Sequence, residues 1–107
     1  MDAYVHLVYK LTKKFPKDEL FGVVSQLRRS SLSVILNYIE GYARRKSKNC
    51  KVYVNFLEIS YGSLKESKYL LHFSLTEKYI IIEEYKQTME LAEEIGAMLW
   101  KTLNSIK

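Results

Sequence analysis

Few residues in this chain are of a type that does covalent or metal chemistry. His6 and His72 are the only histidines and Cys50 the only cysteine. The histidines fall on different predicted helices, and neither belongs to an HExxH pair or has a second His or Cys close by. A di-metal helical bundle builds its site from ExxH pairs, but neither Glu66 nor Glu90 has a His three residues on. Cys50 stands between Asn49 and Lys51 without a motif that would use a thiolate. The phosphate-cradling pattern GxxxxGK[ST] has no match. These residues predict no catalytic constellation, no metal and no cofactor, so the chain is read as a non-enzyme.

Binding chemistry is better supplied. Arg44, Arg45, Lys46, Lys48 and Lys51 crowd one short segment, and Lys10, Lys13, Lys14 and Lys17 crowd another. Residues 10–51 hold eleven Lys or Arg against three acids, a net of +8, whereas residues 52–107 sum to −2. Such asymmetry points to an anionic partner, often nucleic acid, although a solvated basic face has the same composition. Tyr42 and Tyr53 flank the first cluster and could stack on unpaired bases. A polar seam lies nearby. Arg29, Ser33 and Asn37 are four residues apart, with Glu40 three further on, and Ser60, Ser63, Glu66 and Ser67 form a matching set. A buried Arg there would need a carboxylate such as Glu66 or Glu40. The seam reads first as an interhelical network that fixes register, and second as a binding pocket.

The elements that must position these groups are helical. A length of 107 residues is one domain, 1–107, with an ordinary globular composition of 48% apolar and 27% charged residues. Four Gly and one Pro allow few turns. Leu7 or Val8, Leu11 and Phe15 set a first helix over about 2–13, which Pro16 ends. A second helix is expected from about 17, some 26 residues and ~40 Å long. Its stripe is Leu20, Val24, Leu27, Ser31, Val34 and Tyr38, with Leu32, Ile35, Ile39 and Tyr42 adjoining. Gly41 and the cations 44–46 suit its C-terminus, and Ser47 or Asn49 could cap the next helix. Val52, Phe56, Ile59, Ser63, Leu70 and Phe73 or Ser74 carry that helix to about 75. Ile81, Tyr85, Met89, Ala92, Ile95, Leu99, Leu103 and Ile106 carry a fourth.

KVYVNFL and KYIIIEEY have strand-like composition, but each lies in a helical period longer than 20 residues with no hairpin turn after it. The expected architecture is all-α, an antiparallel up-down four-helix bundle. The lone cysteine suits a reducing cytoplasm. MDAYVHLVYK does not read as a secretory signal, and no strictly apolar run exceeds four residues, as at 79–82, far too short to span a membrane.

Three stretches, YKLTKKFPKDE at 9–19, QLRRSSLSVILNYIEGYAR at 26–44 and FLEISYGSLKESKYLL at 56–71, carry a family resemblance. The chain resembles the four-helix-bundle proteins encoded in intervening sequences of bacterial 23S ribosomal RNA genes. That family is related to the accessory variability proteins of diversity-generating retroelements. The signature positions are Arg28, Arg29, Asn37, Glu40, Ser63 and Glu66, with Gly41 and Gly62, and most read as architectural. The resemblance implies a cytoplasmic bundle assembled as a homo-pentamer. It also implies relatives that bind nucleic acid and a reverse transcriptase through a basic surface. The chain departs from the family pattern at Ser30 and Ser31, where alanines are usual, and at Tyr38 and Ile39, in place of Ile-Ala. The expectation is a non-enzymatic, oligomeric bundle that binds nucleic acid, RNA rather than DNA, through Arg44, Arg45, Lys46, Lys48 and Lys51. The alternative is a scaffold that docks a partner protein such as a reverse transcriptase.

Overall fold

Four helices follow in order, α1 (Asp2–Thr12), α2 (Ser25–Ala43), α3 (Cys50–Thr76) and α4 (Ile82–Ile106). They are seen in a computed structural model that describes residues 1–46 and 48–106. Among the described residues there is no strand. Each helix packs on the next and α1 also packs on α4, closing an antiparallel up-down bundle of 47 × 24 × 18 Å. KVYVNFL lies inside α3, as its period requires. KYIIIEEY does not lie wholly within a helix: its residues 78–81 fall in the α3–α4 turn, 77–81, and α4 starts at Ile82.

The second helix is shorter than its sequence period suggests. After Pro16 the chain makes one turn of 3₁₀ helix (Lys17–Glu19) and one wide π-type turn (Leu20–Val24). Gly22 leaves the helical basin at φ −107°, ψ −114°. Regular α2 therefore spans 19 residues, ~28 Å rather than ~40 Å. The break turns Leu20 and Phe21 outward, so Leu20 drops out of the core stripe and Phe21 is 92% exposed.

The core also chooses a different face of α3 from the one its apolar residues suggest. Leu57, Leu64 and Leu71 alternate with Ser60, Ser67 and Ser74, and all six are buried. Val52 and Ile59, in contrast, are exposed. This seam repeats every seven residues, the spacing that keeps one face against a neighbouring helix. Serine is small enough to let α2 come close, and the buried hydroxyls are satisfied. Ser60 Oγ donates to the Val34 carbonyl at 2.6 Å, Ser67 to Leu64 at 2.8 Å and Ser74 to Leu70 at 2.7 Å. Val24 of the π-type turn, Leu27, Ser30, Ser31 and Val34 of α2, Tyr4, Val8 and Leu11 of α1, and Thr88, Ala92, Ile95, Leu99 and Leu103 of α4 face the same interior.

Close approach also explains Gly41. A Cβ there would stand 3.0 Å from Phe56 Cβ and 3.4 Å from Tyr53 Cδ1, whereas at Gly62 nothing lies within 4 Å. Gly41→Val should cost about 2–3 kcal/mol through overpacking, while Gly62→Ala should gain up to ~1 kcal/mol from helix propensity. Denaturant melts of the two variants check the pair, and equal effects would contradict this packing.

At ~16 Å, α1 covers less than half the length of α3, ~40 Å. Tyr4 in its first turn hydrogen-bonds Ser67 at 2.6 Å, so the part of the bundle nearer the α2–α3 turn has three walls. Leu36, Ile39 and Tyr42 of α2 are about half exposed there. The adjoining stripe of Leu32, Ile35, Ile39 and Tyr42 is thus only partly interior.

At the other end α3 closes with Lys78 in the left-handed region, φ 64°. Tyr79 N–H donates to the Ser74 carbonyl at 2.8 Å and Lys78 N–H to Leu75 at 3.0 Å, the paired bonds of a Schellman cap. Glycine adopts this conformation without a Cβ clash, so Lys78→Gly should stabilise the fold by roughly 1 kcal/mol. A thermal melt checks it, and a lower Tm would show that the lysine side chain contributes more than its backbone strain costs.

Candidate nucleic-acid interface

The cations at 44–51 sit where α2 ends, the chain turns and α3 begins. Asn49 caps α3, its Oδ1 accepting the Lys51 N–H at 3.0 Å. Ser47, the other cap candidate, lies outside the described residues. The two arginines close α2 from the other side. Arg44 Nη1 donates to the Glu40 carbonyl at 3.0 Å and to Glu40 Oε2 at 2.5 Å, and its guanidinium lies 5.1 Å from the Phe56 ring centre. Arg45 Nη1 donates to the Tyr42 carbonyl at 2.8 Å, and Arg45 Cζ stands 3.7 Å from the centre of the Tyr42 ring. Cations at these last carbonyls complement the helix dipole.

The lysines differ from the arginines. Lys46, Lys48 and Lys51 are exposed, and among the described residues no carboxylate comes within ion-pair distance of them. The aromatic neighbours are already engaged. Tyr42 lies under Arg45 and stacks with Tyr38 at 6.0 Å and 21°, and the Tyr53 phenol is raised above its usual pKa, first by burial and then by Tyr38.

The second basic cluster lies at the opposite end of the bundle, among acids. Lys14 pairs with Glu84. That hydrogen bond, helped by the Ile81 N–H, holds the Glu84 carboxyl below its ordinary pKa. Asp18, Glu19, Glu77 and Glu83 share this end. Two clusters of similar composition thus differ in field: one pole is mixed, the other has Glu40 as its near acid.

The signature positions make separate contacts rather than one network. Arg28 Nε donates to Thr12 Oγ1 at 2.9 Å and lies 4.8 Å from the Tyr9 ring centre, tying α2 to α1. Arg29 bridges to Glu66 at 2.6 Å with side chains 56% and 46% exposed, a surface pair worth little. Ser33 and Ser63 hydroxyls meet at 2.8 Å, and Asn37 Nδ2 donates to Ser33 Oγ and to its carbonyl, both at 2.9 Å. Glu40 turns away from this seam to Arg44. The Tyr4–Ser67 bond had no signal in the charged and polar spacing, because Tyr4 reads simply as apolar.

Among the described residues no group of three or more His, Cys, Asp or Glu is placed to hold a metal, and no helix is long and apolar enough to cross a membrane.

The family model described as 23S rRNA-intervening sequence protein matches residues 2–101. Among solved structures, the chain is similar to a protein with unknown function from the S23 ribosomal protein family of Bacteroides thetaiotaomicron, with a TM-score of 0.78 at 24% identity over 94% of this chain and 90% of that one. At that identity the likeness carries the fold alone. No curated protein matches.

Proposed function

For a chain that belongs to the 23S rRNA-intervening sequence protein family, we propose a non-enzymatic role: a cytoplasmic, oligomeric bundle that binds RNA through the basic turn between α2 and α3. The observation that carries this reading is the trio Lys46, Lys48 and Lys51, exposed beside Arg44 and Arg45 without carboxylate partners among the described residues. Charges held in this way are free to replace the counterions of a phosphate backbone. The half-exposed stripe Leu36, Ile39 and Tyr42 supports assembly, since contiguous apolar surface marks an interaction site. A homo-pentamer would multiply the chain's +5 charge fivefold around one axis and strengthen the attraction.

Fluorescence anisotropy tests the proposal, using an RNA hairpin and a scrambled single strand between roughly 50 and 300 mM salt. Affinity that falls linearly with salt on a log–log plot supports phosphate contacts. No binding at low salt removes the function. Light scattering on the same sample gives the mass, and a species of 12.6 kDa would remove the oligomer.

A second reading, a scaffold for a partner protein such as a reverse transcriptase, draws on Phe21, an aromatic ring 92% exposed at the pole away from the basic turn. Affinity for a partner protein that persists at high salt would favour it.

A further inference from the structure

On the flank of the bundle α3 and α4 leave an open groove of about 600 Å³, within the ~300–1,000 Å³ of small-ligand sites. Its floor is the buried Leu64, and its sides carry two aromatic rings, Tyr61 from α3 and Trp100 from α4. Trp100 is the only tryptophan in the chain and is 59% exposed, an unusual position for the largest apolar side chain. Three lysines border the rings. Lys68 is paired with Glu93 at 3.1 Å. Lys65 lies with its Nζ 5.2 Å from the Tyr61 ring centre, and neither it nor Lys101 has a carboxylate within ion-pair distance among the described residues.

An exposed indole beside a half-buried tyrosine ring, bordered by unneutralised cations, matches the chemistry of a single-stranded nucleic acid, whose bases stack while its phosphates meet lysines. An apolar protein segment would satisfy the rings but leave Lys65 and Lys101 without anions. We propose that this groove takes an unpaired base of single-stranded RNA, stacked on Trp100 beside Tyr61, with Lys65 and Lys101 at the adjoining phosphates. The inference rests on the RNA-binding reading above and extends it. Lys51 and Tyr61 are ten residues apart on α3, a rise of about 15 Å, a distance that a few nucleotides of one strand can bridge.

Trp100 reports on its own site. Selectively excited tryptophan emission is followed while the chain is titrated with a short oligoadenylate, and again with an abasic strand of the same length. Anisotropy of the labelled strands is read in parallel. The expected result is quenching by oligoadenylate and little by the abasic strand. Trp100→Leu should weaken oligoadenylate binding about ten- to a hundredfold, the range for loss of one base stack. Trp100→Phe, which keeps a ring, should retain most of the affinity, and Lys101→Gln should weaken both strands alike.

Binding by anisotropy without a change in emission overturns the groove and leaves the basic turn standing. Equal quenching by both strands overturns base stacking. Emission already blue-shifted and shielded from acrylamide in the free protein assigns the groove to a second copy of the chain, which also overturns the proposal. No binding by either readout fails the RNA reading, and the groove falls with it.

Discussion

Converting Arg44, Arg45, Lys46, Lys48 and Lys51 together to glutamine is expected to lower RNA affinity on the order of a hundredfold near 100 mM salt. It should also make the log–log salt dependence shallower by roughly 0.7–0.9 per lost contact. The structure divides this result into two parts. Arg44 and Arg45 bind the carbonyls of Glu40 and Tyr42 at the end of α2, so their replacement also removes a helix cap and lowers Tm. Lys46, Lys48 and Lys51 make no ion pair among the described residues, so the triple lysine variant should keep its Tm. That variant isolates the binding effect, and it should account for about three-fifths of the change in slope. An unchanged slope at unchanged Tm would take the turn out of the interface. The lysines at the opposite pole serve as the control: Lys10→Gln and Lys13→Gln stand among acids and should change the slope little.

The largest effect on stability is expected at Tyr4, the largest of the fully buried side chains. Its ring fixes α1 to the bundle, and its hydroxyl meets Ser67 at 2.6 Å. Because Ser67 already gives its proton to the Leu64 carbonyl, Tyr4 is the donor. Tyr4→Ala removes ring and bond together and should cost about 3–5 kcal/mol, a large part of the ~5–15 kcal/mol that holds a domain of this size. Tyr4→Phe keeps the ring and leaves Ser67 its own bond, so it should cost only about 1 kcal/mol. Urea melts at one fixed protein concentration compare the two, and equal losses would show that packing is not what anchors α1. The same residue sets an alkaline limit. Burial pushes its phenol up to about 12 from 10.0, so the folded state holds the proton more tightly than the unfolded one. Its contribution is complete below pH 10 and is lost as pH rises from there toward 12. Tyr4→Phe should flatten that part of the pH–stability curve.

Particular residues show how far the sequence could be read. Pro16 and the cap at Asn49 mark real boundaries because each acts through its own backbone or the next turn, a local effect. The break at Gly22 was not legible, since Leu20, Val24 and Leu27 keep helical spacing across it. On α3 the apolar stripe of Val52, Phe56 and Ile59 masks the buried one, because serine is polar by composition even where its hydroxyl is satisfied inside the core. The seven-residue alternation of Leu57, Ser60, Leu64, Ser67, Leu71 and Ser74 was present in the sequence and is the signal that would have found it.

The four helices, roughly where they stop, the family motifs they carry and the positive charge gathered at 44–51 are all written in the order of the amino acids. These properties depend on neighbours within about a turn of helix. Which face of each helix is interior follows from packing between helices, because it depends on how far α1 reaches and on how closely serines let α2 approach α3. The packing of the helices also pairs Lys14 with Glu84 while Lys46, Lys48 and Lys51 make no ion pair among the described residues, and it brings Tyr61 and Trp100, far apart in the chain, to one groove. Periodicity says which residues share a face, but the length and proximity of the neighbouring helices determine whether that face meets protein or water.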